Sequence, residues 1–373
     1  MDEIDVAVIG AGAVGLACAA VLAERGRSVV LLERHRRVGQ ETSSRNSGVI
    51  HAGLYYPTGS LKALLCVEGR RLLYARCARD GVPHRRCAKI LVATDHDERR
   101  KIEGIHAQGL ANGAGDLRLL DGAEVTRLEP RVRAVAGLLS PETGIVDVHG
   151  LMDSYRREAE GRGAILAPDN TVTALERRAG GWRVRARTST EGDAELYARW
   201  VVNAAGLDAS RVAALAGVDV RALGYEQRLC KGDYFRIAAR HAGIAGRLIY
   251  PAPVHAGLGI HITFDLGGKL LAGPDVEYID RVRYDVDPAK AARFGAALRR
   301  YLPDIRDDDL EPDYAGIRPK LQGPGEPFRD FVVEEAGPHG APGLVNLLGI
   351  ESPGITAGEA IARRVAGLID LSG

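Results

Sequence analysis

The sequence that decides the fold is Ile4-Asp5-Val6-Ala7-Val8-Ile9-Gly10-Ala11-Gly12-Ala13-Val14-Gly15. Its first half is a short β-branched run, typical of a buried parallel strand, and its second half has the spacing Gly-x-Gly-x-x-Gly. The Ala- and Leu-rich residues 16–25 predict a helix that Gly26 ends, and residues 28–32 predict a second strand. The chain therefore begins with a predicted βαβ unit.

The glycine spacing of this unit predicts a dinucleotide site. Gly10 allows a tight turn off the strand, Gly12 lets the backbone approach a pyrophosphate, and Gly15 lets helix and strand pack closely. The free amides at the start of the helix attract the phosphates. Glu33, 18 residues after Gly15, ends the second strand and suits a carboxylate that accepts hydrogen bonds from ribose hydroxyls. The fingerprint alone leaves FAD and NAD as alternatives.

Composition narrows the class of protein further. The chain has 373 residues, of which 46% are hydrophobic and 27% charged, so it can bury a large core. Its 50 basic and 49 acidic residues nearly cancel, which argues against a nucleic-acid partner. No run of residues is long and apolar enough for a membrane span, and the acidic residues 1–3 do not resemble a signal peptide. We expect a cytoplasmic protein with reduced cysteines and no metal site.

The order of predicted elements indicates two interleaved domains. A nucleotide-binding domain is predicted from residues 1–85, 145–220 and 325–373, and a substrate-binding domain from residues 86–144 and 221–324. The βα units at the two ends enclose a strand-rich middle, where segments such as residues 228–237 predict a mainly antiparallel sheet. The expected fold class is therefore α/β, a Rossmann-like domain interleaved with an α+β domain.

A second signal lies in residues 41–53, where small polar side chains, glycines and Arg45 follow one another without periodicity. The wider stretch of residues 34–59 also shows little periodicity, and a patternless stretch of this length inside a compact domain is usually functional or disordered. Small residues let backbone amides approach a planar ligand, and Arg45 suits phosphate or ring oxygens.

Several segments together make the resemblance specific. Residues 44–56 read Ser-Arg-Asn-Ser-Gly-Val-Ile-His-Ala-Gly-Leu-Tyr-Tyr, and further matching segments are residues 59–62, 66–69, 231–235, 249–251, 258–261, 273–274, 313–320 and 349–356. They resemble the FAD-dependent D-amino-acid-oxidase-type superfamily, and within it the L-2-hydroxyglutarate dehydrogenase/oxidase family. The resemblance covers essentially the whole chain. It implies that the Rossmann-like domain binds FAD.

The resemblance also implies which residues contact the cofactor. Residues 201–206 match a second nucleotide-contacting strand and turn, and residues 349–356 place the start of the last helix near the flavin pyrimidine, where it stabilises negative charge on the reduced ring. Together with the fingerprint, the predicted FAD contacts are Gly10, Gly12, Ala13, Val14, Gly15, Glu33, Arg34, Thr42, Ser43, Ser44, Arg45, Asn46, Ser47, Val172, Ala204, Ala205, Gly206, Arg318, Gly349, Ser352, Pro353, Gly354, Ile355 and Thr356.

Oxidation of a 2-hydroxy acid requires a group that holds the carboxylate and a base that takes the hydroxyl proton. Arg318 suits a bidentate clamp on the carboxylate. His51 and His261 are the candidate bases, and both are alternatively contacts of the flavin. Lys231 and Tyr250 are expected to bind a second carboxylate, and Tyr55 to wall the pocket.

The expected reaction is oxidation of an L-2-hydroxy acid, foremost L-2-hydroxyglutarate, to the 2-oxo acid by hydride transfer to flavin N5. Oxygen or a membrane quinone is the expected acceptor, and a quinone would bring the chain into peripheral contact with the inner membrane. The same scaffold also serves amino acid and amine oxidases and glycerol-3-phosphate dehydrogenases. The sequence is also compatible with a flavin-binding sensor without turnover and with a nicotinamide-binding protein.

Overall fold

The computed structural model describes residues 4–190, 192–253 and 259–371. The acidic residues 1–3, and Leu258 of the segment 258–261, lie outside these ranges.

The helices are α1 (Ala13–Glu24), α2 (Leu61–Asp80), α3 (His96–Asn112), α4 (Gly122–Leu128), α5 (Val148–Gly161), α6 (Ala209–Leu215), α7 (Ala291–Arg299) and α8 (Gly354–Leu371). The strands are β1 (Ile4–Ile9), β2 (Val29–Leu32), β3 (Val49–Ile50), β4 (His84–Arg85), β5 (Lys89–Ala93), β6 (Arg118–Asp121), β7 (Ala136–Ser140), β8 (Gly144–Val146), β9 (Ile165–Ala167), β10 (Thr171–Arg178), β11 (Gly181–Arg187), β12 (Asp193–Asn203), β13 (Arg228–Ile237), β14 (Leu248–Pro251), β15 (Ile262–Phe264), β16 (Leu270–Ala272), β17 (Glu277–Ile279), β18 (Leu310–Lys320), β19 (Val332–Glu335) and β20 (Leu344–Leu348).

The first sheet contains the predicted βαβ unit. Its order is β10-β11-β12-β1-β2-β9, and β20 also pairs with β12 and carries β19 at its other edge. β1 runs parallel to β2 and β12, and β12 parallel to β20, so the carboxyl ends of these strands lie at one edge. The β10-β11-β12 meander is antiparallel, as its alternating sequence predicts.

Burial explains why the first helix has no polar face. Residues 15–23 of α1 are buried, because the helix lies between the sheet and the flanking helices α5 and α8. A helix that is apolar all round is stable only when it is covered on all sides. The same layer places the start of α8 beside the start of α1, at the carboxyl edge of the parallel strands.

The second sheet has the order β17-β13-β16-β15-β14-β5-β7-β6, with β18 paired to β13 on a further branch. Its pairs are antiparallel except for β5 and β14, which confirms the predicted mixed α/β class with a mainly antiparallel second sheet. The strands of each of these two sheets come from the segments that the sequence assigns to one domain, whereas in the small third sheet, β3-β8-β4, strand β8 crosses the predicted boundary. The domain boundaries themselves stay a prediction.

Some elements differ from the sequence-based expectation. The amphipathic pattern of residues 288–301 predicts a single helix, but the structure has a 3-10 turn over Pro288–Lys290 followed by α7. The sequence of residues 259–263 predicts a strand, which in the structure begins only at Ile262. The long strand β18 was not predicted, because Pro312, Gly316 and Pro319 weaken the strand pattern. Pairing with β13 along nearly its whole length overrides that local preference. Within the described ranges, no helix has the length and apolar character needed to cross a membrane.

Helix α2 packs against the first turn of α8 through a close backbone contact at Gly69. A Cβ on Gly69 of α2 would meet the Thr356 carbonyl oxygen and lie 2.7 Å from the Cα of Ala357. We therefore expect Gly69→Ala to destabilise the protein by about 1–3 kcal/mol, because backbone on both sides must move. Urea unfolding measures this change.

The matched control is Gly104→Ala in the exposed part of α3, where an added Cβ has no neighbour within 4 Å. It is expected to stabilise the protein by about 0.4–1 kcal/mol. Equal stabilities of the two variants would contradict the close contact between α2 and α8.

Candidate active site

The turn between β1 and α1 approaches the end of β12 so closely that side chains cannot fit. Gly10 has φ +102°, and a Cβ there would lie 2.5 Å from the Ala204 carbonyl oxygen. A Cβ on Gly15 would overlap the Gly10 carbonyl oxygen, and one on Gly12 would lie 2.9 Å from Ser43 Oγ. Each glycine of the fingerprint is therefore required by a different contact.

A smaller cavity of about 90 Å³ lies on one side of this turn, between the ends of β1, β2 and β12. Glu33, Arg34, Val172 and Ala205, which are among the predicted FAD contacts, line it. The Glu33 carboxylate is buried and accepts hydrogen bonds from Ala11 N at 2.7 Å and His35 N at 2.9 Å. Two backbone donors thus fix the carboxylate at the cavity wall.

The main cavity, of about 580 Å³, continues from the turn into the space between the two sheets. Thr42 and Ser43 line both cavities, as do Gly12, Ala204 and Gly206, so the two form one groove. The other predicted residues that line the main cavity are Ala13, Val14, Gly15, Arg45, Asn46, Ser47, His51, Tyr250, His261, Arg318, Ser352, Pro353, Gly354, Ile355 and Thr356.

The loop of residues 42–47 is held from both sides. Ser43 Oγ accepts a hydrogen bond from Ala13 N at 2.9 Å, at the start of α1. On the other side, Thr42 Oγ1 donates to the Ile317 carbonyl at 3.1 Å, and Tyr314 donates to the Asn46 carbonyl at 2.8 Å. Strand β18 of the second sheet therefore fixes the loop of residues 42–47, which lines the groove beside the first sheet.

Arg45, in the same loop, has an N–H group that suits an oxygen atom of a bound ligand. Its guanidinium lies over the Tyr284 ring at 4.0 Å, and its Nε is buried without a hydrogen-bond partner among the described residues. An unpaired buried N–H is costly, so a bound acceptor at this position would remove a penalty.

Arg318 projects from β18 into the main cavity. Its Nε donates to the Cys230 carbonyl at 3.2 Å, and its Nη2 donates to the carbonyls of Lys231 and Asp275 at 3.0 and 2.7 Å. Nη1 makes no hydrogen bond to the described part of the chain. Three backbone carbonyls thus orient a cation whose remaining N–H groups are available to an anion.

His261 is a buried imidazole with a defined tautomer. Its Nδ1 lies 3.1 Å from the Gly259 carbonyl, which can only accept, so Nδ1 carries the proton and Nε2 is an acceptor. Its ring stacks on Tyr250 with the ring centroids 3.8 Å apart. The pKa of His261 is lowered to about 3, chiefly by burial; the Gly259 carbonyl opposes this shift, and the charges of Lys89 and Arg318 contribute to it.

His51 follows β3 and lies against the start of α8. Its Nε2 is 3.2 Å from Ser352 Oγ, and its backbone N–H donates to Thr356 Oγ1 at 3.0 Å. Burial lowers the pKa of His51 to about 3, with Lys89 and His261 as smaller causes. Both imidazoles of the cavity are therefore uncharged near neutral pH and able to accept a proton.

The structure places four predicted site residues outside both cavities. Lys231 is 0% exposed and forms an ion pair with Asp233 at 2.7 Å on the opposite face of β13, so it does not reach a substrate carboxylate. Strand alternation explains the error, since neighbouring residues of β13 face opposite sides. Tyr55 points to Lys89 behind the cavity wall. Ser44 donates to the Gly39 carbonyl, and Gly349 N donates to Gln227.

The sequence analysis also missed residues that line the cavity. Tyr234 enters from β13, Arg293 from α7 and Arg300 from the end of that helix. The two arginines pair with Asp275 and Glu98. The amphipathic pattern of residues 288–301 predicted a helix but contained no signal for which face meets a cavity.

These features fit FAD. The groove offers a glycine turn for a pyrophosphate, a fixed carboxylate on the adenosine side, an unpaired Arg45 N–H, and the first turn of α8 beside the main cavity. When bound, FAD supplies the acceptor for two electrons and a proton, which the side chains of the chain do not supply.

The comparisons with known proteins agree with this geometry. The family model described as "FAD dependent oxidoreductase" matches residues 5–368. The mitochondrial L-2-hydroxyglutarate dehydrogenase of Arabidopsis thaliana is 39% identical, covering 98% of this chain and 83% of that protein, and the enzyme of the same name from Caenorhabditis elegans is 28% identical, covering 98% and 93%. The FAD-bound L-alpha-glycerophosphate oxidase of Mycoplasma pneumoniae is similar in structure, with a TM-score of 0.89, 26% identity and coverage of 99% and 95%.

This chain belongs to the FAD-dependent oxidoreductase family of D-amino-acid-oxidase type. It is an enzyme, and its cofactor is FAD rather than NAD, which the glycine fingerprint alone left as an alternative.

The contacts of Glu33 generate a prediction for cofactor affinity. Glu33→Gln replaces one carboxylate oxygen by an NH2 group that cannot accept from Ala11 N or His35 N. We expect the dissociation constant of FAD to rise about 10-fold, corresponding to about 1.4 kcal/mol. Titration of the apoprotein with FAD, followed by flavin fluorescence, measures the change.

Glu24→Gln, at the exposed end of α1, is the control and is expected to bind FAD like the unmodified protein. Equal affinity of the Glu33→Gln variant would remove Glu33 from the cofactor site.

Proposed function

We propose that this enzyme oxidises an L-2-hydroxy acid, foremost L-2-hydroxyglutarate, to the corresponding 2-oxo acid. The observation that carries the proposal is the convergence of the oriented Arg318 and two uncharged imidazoles, His51 and His261, on one cavity beside the FAD groove. The name of the 39% identical relative from Arabidopsis supports the choice of substrate.

Each residue of the cavity has a separate proposed role in the reaction. Arg318 Nη1 holds the C1 carboxylate, because its other donors are already fixed by backbone carbonyls. An uncharged imidazole, His51 or His261, takes the proton of the C2 hydroxyl. FAD, held by the turn after β1 and the first turn of α8, would supply flavin N5 as the acceptor for the C2 hydride. The first turn of α8, at Gly354, would favour the negative charge of the reduced flavin on its pyrimidine ring.

A dicarboxylic acid requires a second cation, and Lys231 is not in the cavity. Arg293 and Arg300 line the cavity from the side of α7, each paired with a carboxylate, Asp275 or Glu98, and they are the proposed N–H donors to the second substrate carboxylate. Tyr250 also lines the cavity. We propose that it makes a polar contact with the substrate between the two carboxylates.

The acceptor in the second half of the reaction is oxygen or a quinone. Oxygen uptake with formation of hydrogen peroxide marks an oxidase. Reduction of a soluble quinone without oxygen uptake marks a dehydrogenase. We propose a cytoplasmic location with peripheral membrane contact if a quinone is used; the relatives from Arabidopsis and Caenorhabditis elegans are named as mitochondrial.

The substrate is tested by anaerobic reduction of the bound flavin. We expect L-2-hydroxyglutarate to bleach the visible absorbance of the holoenzyme and D-2-hydroxyglutarate to leave it unchanged. Glycerol 3-phosphate, glycine and L-proline complete the panel. Bleaching by one of these three, and not by L-2-hydroxyglutarate, would refute the proposal, and a flavin that none of them reduces would favour a sensor.

The base is identified by the matched variants His51→Asn and His261→Asn. Loss of the base is expected to lower kcat about 10²–10⁴-fold, and loss of the other imidazole to act mainly on KM. Stopped-flow measurement of flavin reduction separates the two effects. Flavin reduction at the unmodified rate in both variants would exclude an imidazole base.

A further inference from the structure

Behind the cavity wall lies a buried cation that the proposed mechanism does not use. Lys89, the first residue of β5, is 0% exposed. No carboxylate of the described ranges forms an ion pair with it. Among the described residues, the one side-chain hydrogen bond of Lys89 is from Nζ to Tyr55 Oη, at 3.3 Å. Other buried lysines of this chain are paired, as Lys62 is with Glu351 and Lys231 with Asp233.

The Lys89 ammonium contacts two aromatic rings instead of a carboxylate. Lys89 Nζ lies 4.7 Å from the centroid of the Tyr55 ring and 4.6 Å from that of the Tyr250 ring. Cation–π contacts of this kind compensate part of the cost of burial, but an unpaired buried ammonium still destabilises a fold. A position with such a cost indicates a functional role.

The Tyr250 ring connects this cation to the cavity. Lys89 contacts it at 4.6 Å, and the His261 ring stacks on it with 3.8 Å between the centroids. A proton on His261, which is 4% exposed, would therefore add a second positive charge beside the same aromatic ring. Coulomb repulsion at this range is substantial in a buried site.

We propose that Lys89 is a positioning residue for proton abstraction: its charge adds to the effect of burial in keeping the imidazoles of the cavity uncharged and able to accept a proton. Lys89 does not contact the cavity itself. Only the consequence for catalysis rests on the proposed function; the coupling between Lys89 and His261 does not.

The pKa of Lys89 is shifted in the direction that this role requires. Burial lowers the pKa of Lys89 to about 7, and Cys66 opposes the change weakly. The ammonium is thus charged below about pH 7, in the range where an ordinary imidazole would take up a proton. Other titratable or charged groups surround the pair: His51, Tyr55, Tyr56, Cys66, Cys87, Tyr234 and Arg318.

The test compares Lys89→Met with the unmodified holoenzyme by NMR titration of ¹³C-labelled histidine, with His51→Asn and His261→Asn spectra for assignment. We expect the His261 signal of Lys89→Met to titrate about one pH unit higher than in the unmodified enzyme. Lys89→Arg keeps the charge and is expected to titrate like the unmodified enzyme. An unchanged His261 titration in Lys89→Met would overturn the proposal.

The thermal stability of Lys89→Met distinguishes the proposed electrostatic role of Lys89 from a structural role. Methionine removes the buried charge, so Lys89→Met is expected to melt at a higher temperature than the unmodified enzyme at pH 6. The difference should shrink between pH 7 and 10.5, because the unfolded chain keeps Lys89 protonated up to about 10.5 while the folded chain releases the proton near 7. A variant that melts lower at pH 6, or does not fold, would show that Lys89 is structural.

Lys62→Met is the matched control, since Lys62 is equally buried but bonded to the Glu351 carboxylate. It is expected to lower stability and leave the His261 titration unchanged. With L-2-hydroxyglutarate, the acid limb of kcat/KM should move to higher pH in Lys89→Met only. A shifted NMR titration without turnover of this substrate would refute the proposed function and leave the role of Lys89 intact.

Discussion

The site depends on the close backbone approach of the β1–α1 turn to the end of β12. Gly10 and Gly15 have no room for a Cβ, because carbonyl oxygens occupy that space. This contact brings the start of α1, the Thr42–Ser47 loop and the end of β12 around one groove. Ser43 completes the arrangement by accepting from Ala13 N. A larger side chain in the turn would separate the parts that surround the pyrophosphate site.

The second sheet contributes to the same site through β18. This strand orients Arg318 with backbone carbonyls, and its Ile317 carbonyl and the Tyr314 hydroxyl hold the loop that faces the cofactor groove. Arg318, the proposed substrate residue, and the loop of the predicted cofactor contacts are therefore coupled through hydrogen bonds of a single strand. A substitution that shifts β18 is expected to disturb both, although the two groups of residues are far apart in sequence.

The wall of the cavity is buried and of low polarity, and the positive charge of Lys89 lies behind it. His51 and His261 are uncharged mainly because they are buried, and the unpaired Lys89 adds to this effect behind Tyr250. The wall thus presents two proton acceptors next to the oriented cation of Arg318. Such an environment suits abstraction of a proton from an anionic hydroxy acid, because carboxylate and hydroxyl require groups of opposite character.

The sequence by itself determined the βαβ unit, the dinucleotide groove and the family, because glycine spacing and strand pattern depend on contacts between near neighbours. It also indicated Arg318, His51 and His261 through the resemblance. Only the tertiary structure decided which side chains face the cavity. It turned Lys231 away on β13, placed Tyr55 against Lys89, and brought Arg293 and Arg300 to the cavity from α7. Side-chain direction depends on strand register and on long-range pairing, such as β13 with β18, which no local pattern encodes.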